Sequence, residues 1–115
     1  MVAPADSTAP AAEAAVAKLR ELAPEMRGCA VLGPGGEVLA ATAEPRRWAE
    51  GARQLFAAAD EAGGRPADHV HVATGDGEVF AVRGSGHAIV AVSERFVLSS
   101  LMVFDLRTAL RELER

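Results

Sequence analysis

The apolar positions along the chain change period several times, and each change marks an element. From Pro10 onward, Ala12, Ala15, Val16, Leu19, Leu22 and Ala23 recur at helical spacing until Pro24 stops the run. Pro10 suits the first turn of a helix, where its missing N–H costs nothing. The segment ahead of it, residues 1–9, is small, polar and proline-bearing, and reads as a disordered lead-in. The period then shortens. Gly28 opens the apolar run Cys29-Ala30-Val31-Leu32, Gly33-Pro34-Gly35-Gly36 interrupts it, and Glu37-Val38-Leu39-Ala40-Ala41-Thr42 follows. Two short apolar runs joined by a glycine-rich turn predict a β-hairpin. Neither run alternates with polar residues, so both strands are expected to be covered on both faces.

Pro45 starts a second helix, with the stripe Trp48, Ala52, Leu55, Phe56 and Ala59 and a C-terminal cap at Gly63-Gly64. Ala49, Ala57, Ala58 and Ala62 flank that stripe, and such small residues let another helix approach closely. Three strands follow, over His69–Thr74, Glu78–Arg83 and His87–Ser93, joined by Gly75-Asp76-Gly77 and Gly84-Ser85-Gly86. These predict an antiparallel meander. A last helix is expected from about Phe96 to Leu113. Met102, Leu106, Ala109, Leu110 and Leu113 line one face of its second half. Its first turns are apolar nearly all round, through Val97, Leu98, Leu101, Met102, Val103 and Phe104. A helix apolar on every side is buried on every side, which a small monomer can hardly achieve.

The result is a single α/β (α+β) domain over residues 10–115, in the order helix, two strands, helix, three strands, helix. Its 115 residues would bury about 65% of the unfolded surface. Half the residues are hydrophobic but only 4% are aromatic, and alanine fills much of the remainder, so the core should be shallow. The net charge of −4 is interspersed, without the basic stripe a nucleic-acid surface needs. Cys29 stands alone, which excludes an intrachain disulfide and fits a reducing compartment. No run approaches the ~20 apolar residues of a membrane span. The first dozen residues show neither a basic start nor an apolar signal core, so a cytoplasmic location is the expectation.

This order of elements and turns resembles the Roadblock/dynein light chain family over roughly Ala11 to Leu113. Gly28 with the strand Cys29–Leu32, the turn into Glu37-Val38-Leu39-Ala40 and the alanine-rich helix Trp48–Ala62 carry the resemblance. So do Val79-Phe80-Ala81-Val82, Ala88-Ile89-Val90-Ala91-Val92 and the closing Leu110-Arg111-Glu112-Leu113. The first hairpin turn departs from the family's usual aspartate and single glycine. The resemblance implies a five-stranded antiparallel sheet with helices on both faces, one on one side and two on the other. It also implies a homodimer joined through Trp48–Ala62 and the edge strand His69–Thr74. Bacterial relatives act on a small Ras-like GTPase, as activators or scaffolds without a nucleotide site of their own.

Candidate chemistry is sparse. His69 and His71 share one face of a strand at a spacing zinc can use. His87, however, lies two strands away in a meander, about 9.5 Å at normal strand spacing. The glycine turns join strand to strand and carry no lysine, unlike phosphate-binding loops. Cys29 sits in an apolar strand, where cysteine behaves as a small hydrophobe. Asp60 and Glu61 are adjacent and diverge on their helix, while Arg46, Arg47 and Arg53 read as a solvated face open to an acidic partner. No cofactor, metal or catalytic group is therefore expected. The expected function is that of a non-enzymatic, homodimeric adaptor or regulator of a small GTPase. Its contact residues are Trp48, Ala52, Leu55, Phe56 and Ala59 on the central helix, His69 and His71 on the edge strand, and Val97, Leu101 and Phe104 on the last helix. A small-molecule sensor with a pocket between sheet and helices is the alternative.

Overall fold

The computed structural model describes the backbone of residues 4–115 and the side chains from residue 9 onward. Its elements are α1 (Pro4–Leu22), β1 (Met26–Leu32), β2 (Val38–Ala41), α2 (Pro45–Gly63), β3 (His69–Ala73), β4 (Glu78–Arg83), β5 (Ala88–Ser93) and α3 (Ser99–Leu113). The five strands form one antiparallel sheet in the order β2-β1-β5-β4-β3. The central pair, β1 and β5, thus joins the first and last strands of the chain. Helix α2 carries the chain from the β2 edge to the β3 edge. That crossing spans four strand spacings, about 19 Å, and 19 residues of helix reach about 28 Å.

The register sorts the side chains onto two faces. Cys29, Val31, Phe80, Val82, Ile89 and Ala91 point to one side, where α1 and α3 bury Leu19, Met102, Leu106 and Leu110 against them. Leu32, Ala81, Ala88 and Val90 point to the other, beneath Ala52 and Phe56 of α2. One helix on one face and two on the other is the arrangement the resemblance implies. Continuous apolar strands in the middle of the sheet follow from this double cover: β1 is buried from Gly28 to Leu32, and β4 and β5 nearly throughout.

Three boundaries or environments differ from the sequence expectation. Helix α1 begins at Pro4 rather than Pro10, so Pro10 falls inside it and the expected lead-in is helical from Pro4 on. Pro4 suits a first helical position, and the alanines that follow it are the strongest helix formers. Residues 1–3 of that expected lead-in lie outside the described residues. Strand β2 packs into both cores, through Val38 on the α2 side and Leu39 and Ala40 on the other, yet remains only half-buried. It is an edge strand, so solvent reaches it from the side. Helix α3 begins at Ser99, not Phe96. Phe96 takes the left-handed conformation, with φ 63°, which no α-helix accommodates. The Glu78 carboxylate accepts the Val97 N–H at 3.2 Å, and the helix starts only where Met102 N–H reaches Leu98 O at 3.1 Å.

Candidate interaction surfaces

On the α2 side, the central helix packs on the β1–β2 half of the sheet. Ala52 and Phe56, read from sequence as contact residues, are 3% and 8% exposed and belong to this domain's own core. They occupy the helical positions directly over the sheet, where burial within the chain takes them first. Trp48 and Leu55 pack at the rim of that core and are half-buried, and Ala59 is half-buried as well. Gly28 makes room for the indole: a Cβ there would sit 3.1 Å from Trp48 Cζ2 and 2.9 Å from Thr42 Oγ1.

Beside α2 an open, mainly apolar trough of about 540 Å³ runs over β1, β5 and β4, with Arg27, Glu44 and Arg47 also in its lining. Trp48, Gly51, Leu55, Val79, Val90 and Val92 line it. Val72 continues the same face, opposite Val79 in register, and is 39% exposed. The valines of this face are not among the contact residues expected from sequence. Their signal was the alternation Val70-His71-Val72, which places one valine face and one histidine face on an edge strand.

Polar ties fix the ends of α2. The Asp60 carboxylate accepts the Ala67 N–H at 2.8 Å and pairs with Arg83, whose guanidinium lies 4.4 Å over the Phe56 ring. The Arg83 hydrogen bond, and after it the Ala67 N–H, hold the Asp60 carboxyl below the usual carboxylate range. Asp60 is thus a tie between α2, β4 and the segment leading into β3. On the exposed face Arg47 pairs with Glu44, the residue just before α2, at 2.8 Å and Arg53 with Glu50 at 2.6 Å, local contacts that contribute little. Arg46 has no carboxylate partner among the described residues.

Strand β3 pairs with β4 on one side only, so its other edge is open. His69 and His71 lie on the α3 face of this strand, opposite Val82 and Phe80. The His71 ring stacks on Phe80 at 4.3 Å, and its Nε2 meets Glu78 Oε1 at 2.5 Å. Glu78 therefore links the β3 edge to the segment before α3, and its carboxyl is held below the usual range, first by His71. His69 Nδ1 lies 3.1 Å from Arg107 of α3. His87 sits in a different cluster, beyond β4, with its Nδ1 3.1 Å from Glu114.

The start of α3 carries the second apolar surface. Phe96, Leu98, Leu101 and Phe104 are 86%, 68%, 48% and 59% exposed. Met102, by contrast, is buried, while Val97 and Val103 pack partly against the core. Val97, expected at an interface, is thus half-buried within the chain, because its N–H is captured by Glu78 and its side chain turns inward.

A third concavity, of about 550 Å³, lies between α2 and the two glycine-rich hairpin tips. Its backbone donors are already used. Gly33, Gly35 and Gly36 N–H bond Glu37 O, Glu37 Oε1 and Gly33 O, and Gly84 N–H bonds His87 O. Ser85, Gly86 and His87 N–H all donate to the Glu114 carboxylate at 2.8–3.1 Å. Burial pushes the Glu114 carboxyl up, but these N–H groups together with the His87 ring outweigh it and hold it below the usual range. Cys29 is fully buried, and burial pushes its thiol up to about 11 against the opposing Arg20 charge, the reverse of an activated nucleophile. Among the described residues no three His, Cys, Asp or Glu side chains gather to hold a metal ion, and no helix is long and apolar enough to cross a membrane.

Solved structures of the same fold exist. The chain superposes on a Roadblock/LC7 domain from Streptomyces avermitilis with a TM-score of 0.76 at 16% identity, covering 89% of this chain and 93% of that one. Against MglB of Myxococcus xanthus the TM-score is 0.69 at 12% identity, covering 98% and 90%. Against the gliding protein MglB of Thermus thermophilus it is 0.63 at 14% identity, covering 95% and 87%. A further MglB structure, with a tetrameric arrangement, gives 0.64 at 18% identity, covering 90% and 87%. No family model and no curated protein matches the chain. At these identities the likeness is one of fold, and the fold is that of Roadblock/LC7 domains.

Proposed function

We propose, from the premise of a Roadblock-type fold, that this chain is a non-catalytic regulator that pairs with a second copy of itself and binds a small Ras-like GTPase. The observation that carries the reading is the apolar strip beside α2. Trp48, Leu55, Val79, Val92 and Val72 form one apolar strip that ends at the open edge of β3. A contiguous strip of this kind beside an unpaired strand edge is costly to leave in water and marks a protein contact. A second α2 seated in the trough, with β3 paired to its counterpart, covers both features in one two-fold contact. The alanines at 57, 58 and 62 are exposed and permit close approach of that helix.

The paired α2 helices then present Arg46, Glu50 and Arg53, on the side of α2 away from the trough, as a charged platform for the partner protein. The pocket at the hairpin tips offers the shape for the sensor alternative, but its amides are committed to Glu37 and Glu114. The test is binding of a purified bacterial Ras-like GTPase, loaded with a GTP analogue or GDP, by interferometry. Nucleotide-dependent binding that is lost in Arg46→Glu/Arg53→Glu supports the reading. Equal and absent binding in both nucleotide states, by a protein shown to be dimeric, refutes the GTPase part alone.

A further inference from the structure

The face of the sheet opposite α2 carries a surface that the proposed dimer and GTPase contacts leave unused. Leu98, Leu101, Phe104 and Arg107 recur every third residue, so they form one ridge along α3, about 14 Å long. Arg111 extends it by another turn. The buried stripe Met102, Leu106, Ala109 and Leu110 already satisfies the core on the other side of the helix. The exposed leucines and phenylalanine are therefore not overflow from packing. Single exposed apolar residues are ordinary on a protein surface, but a row of three large ones is not.

Charge adds a direction. Arg107 and Arg111 have no carboxylate partner among the described residues: Arg107 meets His69 Nδ1 at 3.1 Å and Arg111 meets Thr108 Oγ1 at 3.4 Å. Of the acidic residues nearest in sequence, Glu112 pairs with Lys18 and Glu114 with the β4–β5 turn, while Asp105 is half-buried and forms no ion pair with either arginine. The groove beside the ridge, about 520 Å³, is walled by Val103, Phe104, Arg107 and Arg111 and floored by His69 and His71. The ridge thus runs from an apolar end to a cationic end, on a chain whose net charge is −4. Just before it, Phe96 is held at φ 63° with its ring almost fully exposed under Arg95, a backbone strain that no burial offsets.

We propose that this ridge docks an amphipathic helix of a second protein, one whose apolar row meets Leu98, Leu101 and Phe104 and whose acidic residues meet Arg107 and Arg111. Helical ridges seat in the grooves of other helices, and side chains at a three-residue spacing are the usual anchors for such a partner. A second copy of the chain fits poorly. Two α3 helices crossing antiparallel about Phe104 would set Leu101 of each against Arg107 of the other, leaving guanidinium opposite leucine.

The test uses the full chain and two synthetic 16-residue helical peptides with the same leucine row, one carrying glutamates and the other lysines at the flanking positions. Fluorescence anisotropy should show the glutamate peptide binding at least tenfold more tightly than the lysine peptide. Phe104→Asp should abolish the binding, and Arg107→Glu/Arg111→Glu should reverse the order of the two peptides. All three side chains are exposed, so urea midpoints should stay near that of the parent and confirm that the variants fold. Leu55→Asp, on the opposite face, should leave peptide binding intact whether or not the dimer forms. Equal affinity for the two peptides, no binding by either, or an unchanged order after charge reversal would overturn the proposal. So would a change of oligomeric state in Phe104→Asp, which would make the ridge part of a self-contact.

Discussion

Replacing Glu114 by alanine should destabilise the domain far more than its place beyond the last helix suggests. Its side chain is only 17% exposed and accepts three backbone N–H groups, from Ser85, Gly86 and His87, at 3.1, 2.8 and 2.8 Å. Water can replace the bond to Ser85, at the exposed tip. The bonds to Gly86 and His87 are partly buried, and each contributes about 1–1.5 kcal/mol net. The expected cost is therefore about 2–3 kcal/mol, a fall of about 1–2 M in the urea midpoint for a domain of this size. Glu114→Gln keeps one acceptor oxygen and should lose about half as much. The pH dependence supplies an internal control. The folded carboxyl titrates below its ordinary value of 4.5, so its stabilisation is fully present above that pH and is lost as the pH falls through the lower folded value. The gap between parent and variant should be full at pH 7 and close under acid. An alanine variant within about 0.5 kcal/mol of the parent at pH 7 would refute the idea that this carboxylate locks α3 to the β4–β5 turn.

Other consequences follow from single positions. Gly77→Ala places a Cβ 2.4 Å from the Ser93 carbonyl oxygen, a backbone atom that cannot swing aside, and should cost about 2 kcal/mol or more by thermal unfolding. Phe96→Gly relieves the positive φ of an exposed residue and should raise stability by about 0.5–1 kcal/mol, whereas Phe96→Ala, still strained, should not. Cys29 should resist a disulfide reagent in native buffer at pH 8 and react only at the rate of unfolding, since its thiol is buried and pushed up to about 11.

How much of this was legible in the sequence depends on the range of the interaction. Turns and helix ends are local, so Pro45, Gly64 and the glycines between strands gave α2 and the meander almost to the residue. The resemblance supplied the sheet and the sides on which helices lie. What periodicity could not give was which apolar residues the chain itself would cover. Ala52 and Phe56 share a stripe with Trp48 and Leu55, yet the first two go into the core and the others to its rim. The ties made by Glu78 to His71 and Val97, by Asp60 to Arg83, and by Glu114 to the β4–β5 turn join residues far apart along the chain. No repeat or spacing announces such a pair. The false start of α3 has the same origin, since Phe96 looks helical by composition and is excluded by a carboxylate from β4 that holds the next N–H.

The surplus of apolar surface beside α2 is what makes protein contact the centre of this account, and sedimentation velocity tests it most directly. At micromolar concentration the parent chain should sediment as a dimer, and Leu55→Asp, at a half-buried position on the trough, should sediment as a folded monomer with a nearly unchanged circular dichroism spectrum. A parent chain that remains monomeric up to about 100 μM, where a contact of even ~5.5 kcal/mol would show, would contradict the account.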